Sequence, residues 1–198
     1  MYKSYKITDV LVQRLNQSNI SNKATNDKCM MRSSLLEMIS ANSTIEASEI
    51  WNNWFPEIEA DVFISHSSKD YSIAKKLSKW LLDSFNIKSF IDSDIWGHSN
   101  ALLKEIDNLY CLNPDSETYC YEKRNLSTAH VHMILSYAIT RMIEKTECFI
   151  FIETHNSLSI DGNMSGISSP WIFHELSIAD TIELKMPNRQ LKKATQLS

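Results

Sequence analysis

Three short apolar runs decide what this chain can become. Asp61-Val62-Phe63-Ile64-Ser65, Lys88-Ser89-Phe90-Ile91 and Cys148-Phe149-Ile150-Phe151-Ile152 are rich in β-branched and aromatic residues and lead into polar clusters. That is the texture of strands buried on both faces of a parallel sheet. Between them the period changes. Ile73, Leu77 and Leu81 make one helical stripe, with Ala74 beside it and Lys75, Lys76 and Lys79 outside. Leu102, Leu103 and Ile106 belong to another helix, and Val131, Leu135, Ala138 and Met142 to a long one over 127–145, all at the 3.6-residue period. Strand and helix alternate from Asp61 onward, which predicts an α/β layered domain with a parallel sheet. In such sheets ligands bind beyond the carboxyl ends of the strands. The three ends here are Ser65-His66-Ser67-Ser68, Asp92-Ser93-Asp94 and Glu153-Thr154-His155, and all are polar.

The rest of the chain is arranged around that alternation. Residues 1–59 read as a helical N-terminal extension, in which Ile7, Val10, Leu11 and Leu15, then Leu35, Leu36 and Ile39, recur at helical spacing on either side of a polar stretch at 16–27. Trp51 and Trp54 stand at i,i+3 and face the same way, as a packing pair rather than a ligand cage. The α/β domain spans 60–186, with an inserted loop at about 110–125 and a second loop at 154–168 that carries two glycines. Ser169-Pro170 then opens a helix, with Ser as N-cap and Pro at its first position. After it only 181–186 could supply one more short strand, and 187–198 is a polar, basic tail.

Composition removes several functions. The 198 residues include only three glycines, Gly97, Gly162 and Gly166, where average usage of about 7% gives roughly 14. They form neither G-x-G-x-x-G nor a Walker-type loop, so both glycine-rich phosphate cradles are excluded. With 20 basic and 24 acidic side chains the net charge is −4, which gives no support to a nucleic-acid partner. The longest apolar run is far shorter than the roughly 20 residues of a membrane span. Residues 1–6 lack the apolar core of a signal peptide, so an intracellular setting is expected. Cys29, Cys111, Cys120 and Cys148 contain no C-x-x-C pair and read as free thiols of a cytoplasmic protein. His130 and His132 stand at i,i+2 and the other histidines are spread out, so no metal site is expected.

The motifs carry a resemblance. Asp61-Val-Phe-Ile-Ser-His-Ser-Ser-Lys-Asp70 looks like the opening strand of a Toll/interleukin receptor (TIR) domain. Phe90-Ile-Asp-Ser-Asp-Ile-Trp-Gly97 resembles the second strand of that family and the loop after it. Ser169-Pro-Trp171-Ile-Phe-His-Glu175-Leu176 resembles the helix carrying Trp, three residues, then Glu, and that Glu is catalytic in TIR domains that cleave NAD+. The resemblance covers roughly 61–182. It implies a flavodoxin-like fold, cleavage of the nicotinamide–ribose bond with NAD+ as substrate rather than resident cofactor, and self-association through TIR–TIR contacts.

The resemblance also distributes roles. Ser65, His66 and Ser67 fall where the family places ligand-contacting groups; their alternative is capping of the next helix. Asp92 matches a position near the ribose and the self-association loop, against a plain turn aspartate. Trp96 lies in the assembly loop, against a buried anchor. Trp171 would wall the site, against helix packing. For Glu175 a physical case stands beside the resemblance. Trp171 and Glu175 at i,i+4 project from one helix face, with Ile172, Leu176 and Ala179 on the neighbouring face to hold the helix against the sheet. Glycosidic cleavage passes through an oxocarbenium-like state that a nearby carboxylate stabilises. The nicotinamide of NAD+ already carries positive charge and leaves without protonation, so one carboxylate suffices. The competing reading is a solvated helix carboxylate in favourable contact with the helix dipole.

A typical member of the family continues after this helix with two more strands, which this sequence lacks or shortens. The 110–125 insertion and the long helix after it resemble prokaryotic TIR-like proteins, including those of the Thoeris anti-phage type, in which NAD+ becomes a nucleotide signal for a separate effector protein. A non-enzymatic TIR adaptor and a nucleotide-binding sensor are the alternative functions.

Overall fold

A computed structural model describes residues 1, 3–8, 13, 55–95, 99–113, 118–161, 164–167 and 169–184. The chain divides into two compact units. One comprises Met1–Lys23, Ile58–Ile91 and Thr140–Ser198; the other comprises Ala24–Glu57 and Asp92–Ile139.

The first unit is built on a four-stranded, wholly parallel sheet, so the α/β class predicted from the strand–helix alternation is the one observed. Its strands are β1 (Lys3–Ile7), β2 (Val62–Ser65), β3 (Ser89–Phe90) and β4 (Cys148–Ile152), in the spatial order β1-β4-β2-β3. Each of the three apolar runs supplies one strand. The fourth comes from the N-terminus and corrects the helical reading there. Lys3–Ile7 pairs along its whole length with β4, from Lys3↔Cys148 to Ile7↔Ile152, so the spacing that groups Ile7 with Val10 is broken by a strand. The reason is tertiary: β4 offers its free side, and an edge strand needs little hydrophobic alternation of its own. Lys6 closes that edge with an ion pair to Glu153 at 2.7 Å.

Side-chain alternation gives the sheet two unlike faces. Val62, Ile64, Ile150 and Ile152 form an aliphatic face, joined by Ile7 at its margin. Helix α1 (Tyr71–Phe85) lays Ile73, Ala74, Leu77 and Leu81 on it, the predicted stripe. The helix stops at Asn86, whose left-handed backbone (φ 54°) sets its own N–H on the carbonyl of Leu82 and the N–H of Ile87 on that of Leu81, a closure that asparagine tolerates better than most residues. The opposite face is aromatic. Phe63 is fully buried, with ring centroids 5.2 Å from Phe90 and 5.6 Å from Phe149.

Beyond β4 the structure departs from the predicted loop. β5 (Leu158–Asp161) and β6 (Met164–Ile167) form an antiparallel hairpin with Gly166 opposite Ser159; Gly162 lies outside the described residues. Helix α5 (Pro170–Thr181) follows, with Ser169 as N-cap and Pro170 at its first position, as the sequence predicts. Thr181 is the last residue of that helix, and 182–184 form no strand, so the expected short strand over 181–186 is not found among the described residues.

In the second unit, α2 (Asp92–Ile95) is a single turn, and α3 (Ser99–Ile106) runs into a π-helical segment, Asp107–Cys111. Helix α4 (Tyr121–Lys145) starts six residues earlier than the predicted 127. Its buried residues Val131, Leu135 and Ala138 lie in this unit. The insertion is thereby shortened, and Leu112 and Tyr119 bridge across it in antiparallel fashion. The buried carboxylate of Asp107 takes Arg124 Nε at 2.9 Å and Ser127 Oγ at 2.7 Å, which ties the π-helical segment to the first turns of α4.

Candidate functional site

Strand order fixes where a site can form. The chain leaves β2 to one side to make β3 and reaches β4 on the other side. The carboxyl ends of β2 and β4 therefore diverge at the topological switch point, where open α/β sheets leave a crevice. Ser65 ends β2 and pairs in register with Phe151 of β4. Because it lies two residues beyond Phe63 in the strand, its side chain belongs to the same, aromatic face.

Helix α5 meets it there. Ser65 Oγ donates to Glu175 Oε2 at 2.5 Å, and the two residues are only 1% and 3% exposed. Two residues 110 positions apart, each singled out in the sequence, are thus brought into direct contact. The contact removes the plain alternative named for each in the sequence. Glu175 is not a solvated helix carboxylate, and the Ser65 hydroxyl serves the carboxylate rather than a helix cap. A carboxylate held this way is screened little by water, so its field on a neighbouring charge is stronger than at the surface.

The supporting positions on α5 follow the predicted geometry with one change. Ile172, Ile178 and Ala179 are buried beside Glu175, whereas Leu176, expected to hold the helix down, is half-buried. Ile178 takes that part because it lies three residues beyond Glu175 and shares its inward side. Trp171 is half-buried in the first turn, one turn before Glu175, and its backbone N–H donates to Ser169 Oγ at 3.3 Å.

His66 and Ser67 are buried as the chain leaves β2. The ring of His66 lies 6.0 Å from that of Tyr71. Ser67 precedes a 3-10 turn, Ser68–Asp70; its carbonyl accepts from Asp70 N at 2.7 Å, and its side chain makes no cap hydrogen bond. Asp92 is the first residue of α2 and half-buried, in the second unit. Trp96, Trp51 and Trp54 lie outside the described residues.

The sequence did not disclose a second polar cluster at the same strand ends. Asp70 is buried and accepts from Thr154 Oγ1 at 2.5 Å and Asn156 Nδ2 at 2.7 Å. Thr154 Oγ1 in turn accepts from Asn156 N at 3.1 Å, and Thr154 N donates to Ser157 Oγ at 2.9 Å. This network binds the segment after β2 to the segment after β4 across the switch point. Its only signal in the sequence is that Thr154 belongs to a polar strand-end cluster and Asp70 follows another by two residues. Their pairing spans 84 positions, which no local pattern encodes.

Among the described residues no group of three or more His, Cys, Asp or Glu could hold a metal ion. No helix among them is long and apolar enough to cross a membrane. Comparison of the chain with protein-family models, with curated proteins and with solved structures finds no match.

Proposed function

We propose that the chain cleaves the nicotinamide–ribose bond of NAD+, with Glu175 as the essential carboxylate. The observation that carries this reading is the buried Ser65–Glu175 pair at the carboxyl end of β2. A desolvated, hydrogen-bonded carboxylate at the switch point is suited to stabilise positive charge developing on a ribose ring. The electron pair of the breaking bond goes to the pyridinium nitrogen, and neutral nicotinamide departs without a proton. Water or another hydroxyl then bonds to the ribosyl carbon and releases its proton to solvent, giving ADP-ribose, a cyclic isomer or a conjugate. Ser65 holds the carboxylate in place, and Trp171, one turn before Glu175, offers a flat wall for a ring or for the cation itself. His66 and Ser67 complete the proposed ligand-contacting set by resemblance to TIR domains. The same resemblance supports assembly of several copies and a role in prokaryotic anti-phage defence, where the product would signal to a separate effector.

The test is nicotinamide release from NAD+ by the purified protein and by Glu175→Gln. Loss of release by roughly 10²–10³-fold is expected, the usual consequence of deleting an electrostatic stabiliser. Undiminished release by the variant overturns the site. No release by the parent at high protein concentration overturns the activity in favour of an adaptor, and tight NAD+ binding without turnover favours a sensor.

A further inference from the structure

Cys111 and Cys120 are far from adjacent in sequence, yet the backbone sets them opposite one another. Leu112 and Tyr119 are partners in an antiparallel bridge. On one side of it Asn113 N donates to Thr118 O at 3.0 Å; on the other, Cys120 N donates to Cys111 O at 2.7 Å. Cys111, the last residue of the π-helical segment, and Cys120 are therefore the next backbone pair in register. Directly opposed residues joined by such a bond stand about 5.5 Å apart at Cα, inside the roughly 4.4–6.8 Å range that a disulfide spans. Both are free thiols. Their surroundings differ: Cys111 is 1% exposed with Sγ 3.8 Å from Ser127 Oγ, and Cys120 is half-buried. Cys148 lies in β4 of the other unit.

We propose that Cys111 and Cys120 form an oxidisable dithiol that a peroxide converts to an intramolecular disulfide. Cys120, the more accessible of the two, attacks hydrogen peroxide as thiolate and becomes a sulfenic acid, with hydroxide leaving. The sulfur of Cys111 then attacks that of Cys120. The S–O bond breaks, the departing hydroxide takes the Cys111 thiol proton, and water is released. Two thiols are oxidised and one peroxide is reduced to two waters. Desolvation raises the Cys111 thiol above its ordinary range, which makes it the poorer of the two in first attack on the oxidant. Closing the bond draws Cys111 Sγ from the hydroxyl of Ser127, which also serves Asp107. Oxidation thereby acts on the join between the π-helical segment and α4. This site is independent of the proposed NAD+ chemistry.

The experiment treats the folded protein with stoichiometric hydrogen peroxide, alkylates the remaining thiols, digests with trypsin and measures mass. Both cysteines fall in the tryptic peptide 105–123, so the expected product is that peptide lighter by two hydrogens and unalkylated, with both thiols recovered after reduction. In Cys111→Ala, trapping of the Cys120 sulfenic acid by dimedone should rise several-fold, circular dichroism reporting that the variant is folded. Pairing of either cysteine with Cys29, Cys148 or another molecule overturns the proposal. So does oxidation of Cys120 to the sulfinic acid while Cys111 in the parent protein stays alkylatable.

Discussion

At Ser65 one hydroxyl serves a carboxylate that water barely reaches. Replacing it by alanine leaves the buried Glu175 carboxyl group without this hydrogen-bond partner, so Ser65→Ala should cost about 1–3 kcal/mol, read as a lower urea midpoint with an unchanged m-value. If Glu175 works as proposed, the same variant also loses kcat in nicotinamide release. Cys148 supplies a pH test. Burial, and secondarily the charge of Glu147, push its thiol from 9.0 up to about 11. The folded state therefore keeps a proton that the unfolded chain releases first, and the stability this contributes is present below pH 9 and lost as pH rises toward 11. The urea midpoint should fall across that window, and fall less in Cys148→Ala. At this scale Glu175 stood out in the sequence because it shares one short stretch with Trp171. Asp70, Thr154 and Cys111 opposite Cys120 did not, because each matters through a partner that only the folded backbone supplies.

Helix α5 places the carboxylate, and its start is marked in the sequence by Ser169 and Pro170. Ser169 Oγ accepts from Trp171 N, so Ser169→Ala should destabilise the protein by about 1 kcal/mol while Ser169→Asp retains the cap; thermal melting of the two variants separates them. Elements with a strong local signal were foreseen with small boundary shifts. β4 is the most apolar stretch in the chain, and α1 carries a clean Ile73, Leu77, Leu81 stripe closed by Asn86. Neither β1 nor the β5–β6 hairpin was foreseen. β1 is polar over most of its length, with every residue exposed except half-buried Ile7, and owes its conformation to the free side of β4. The β5–β6 hairpin has Ser159 opposite Gly166, and such small residues carry little strand preference, so the segment reads as a loop.

Across the first unit, the sheet is held together by β4, which pairs with β1 on one side and β2 on the other. The lasting protection of β1 amides is the corresponding measurement. If Lys3–Ile7 is an integral strand, its sheet-bonded amides, and that of Glu153, which donates to Ile7 O at 2.9 Å, should exchange orders of magnitude more slowly than loop amides and not as a fraying end. Phe63, fully buried between two rings, gives the energetic counterpart: Phe63→Ala should cost about 3–5 kcal/mol in denaturant unfolding. The position of β1 also sets a timetable. The ribosome makes this strand first, but its partner carries residues 148–152. At translation speeds of about 5–20 residues per second, β1 waits on the order of ten seconds for β4 to be made. During that interval β2 and β3 can already pair, whereas the earliest strand to be synthesised is among the last to be seated. Its two lysines, Lys3 and Lys6, charge an otherwise open edge while it waits.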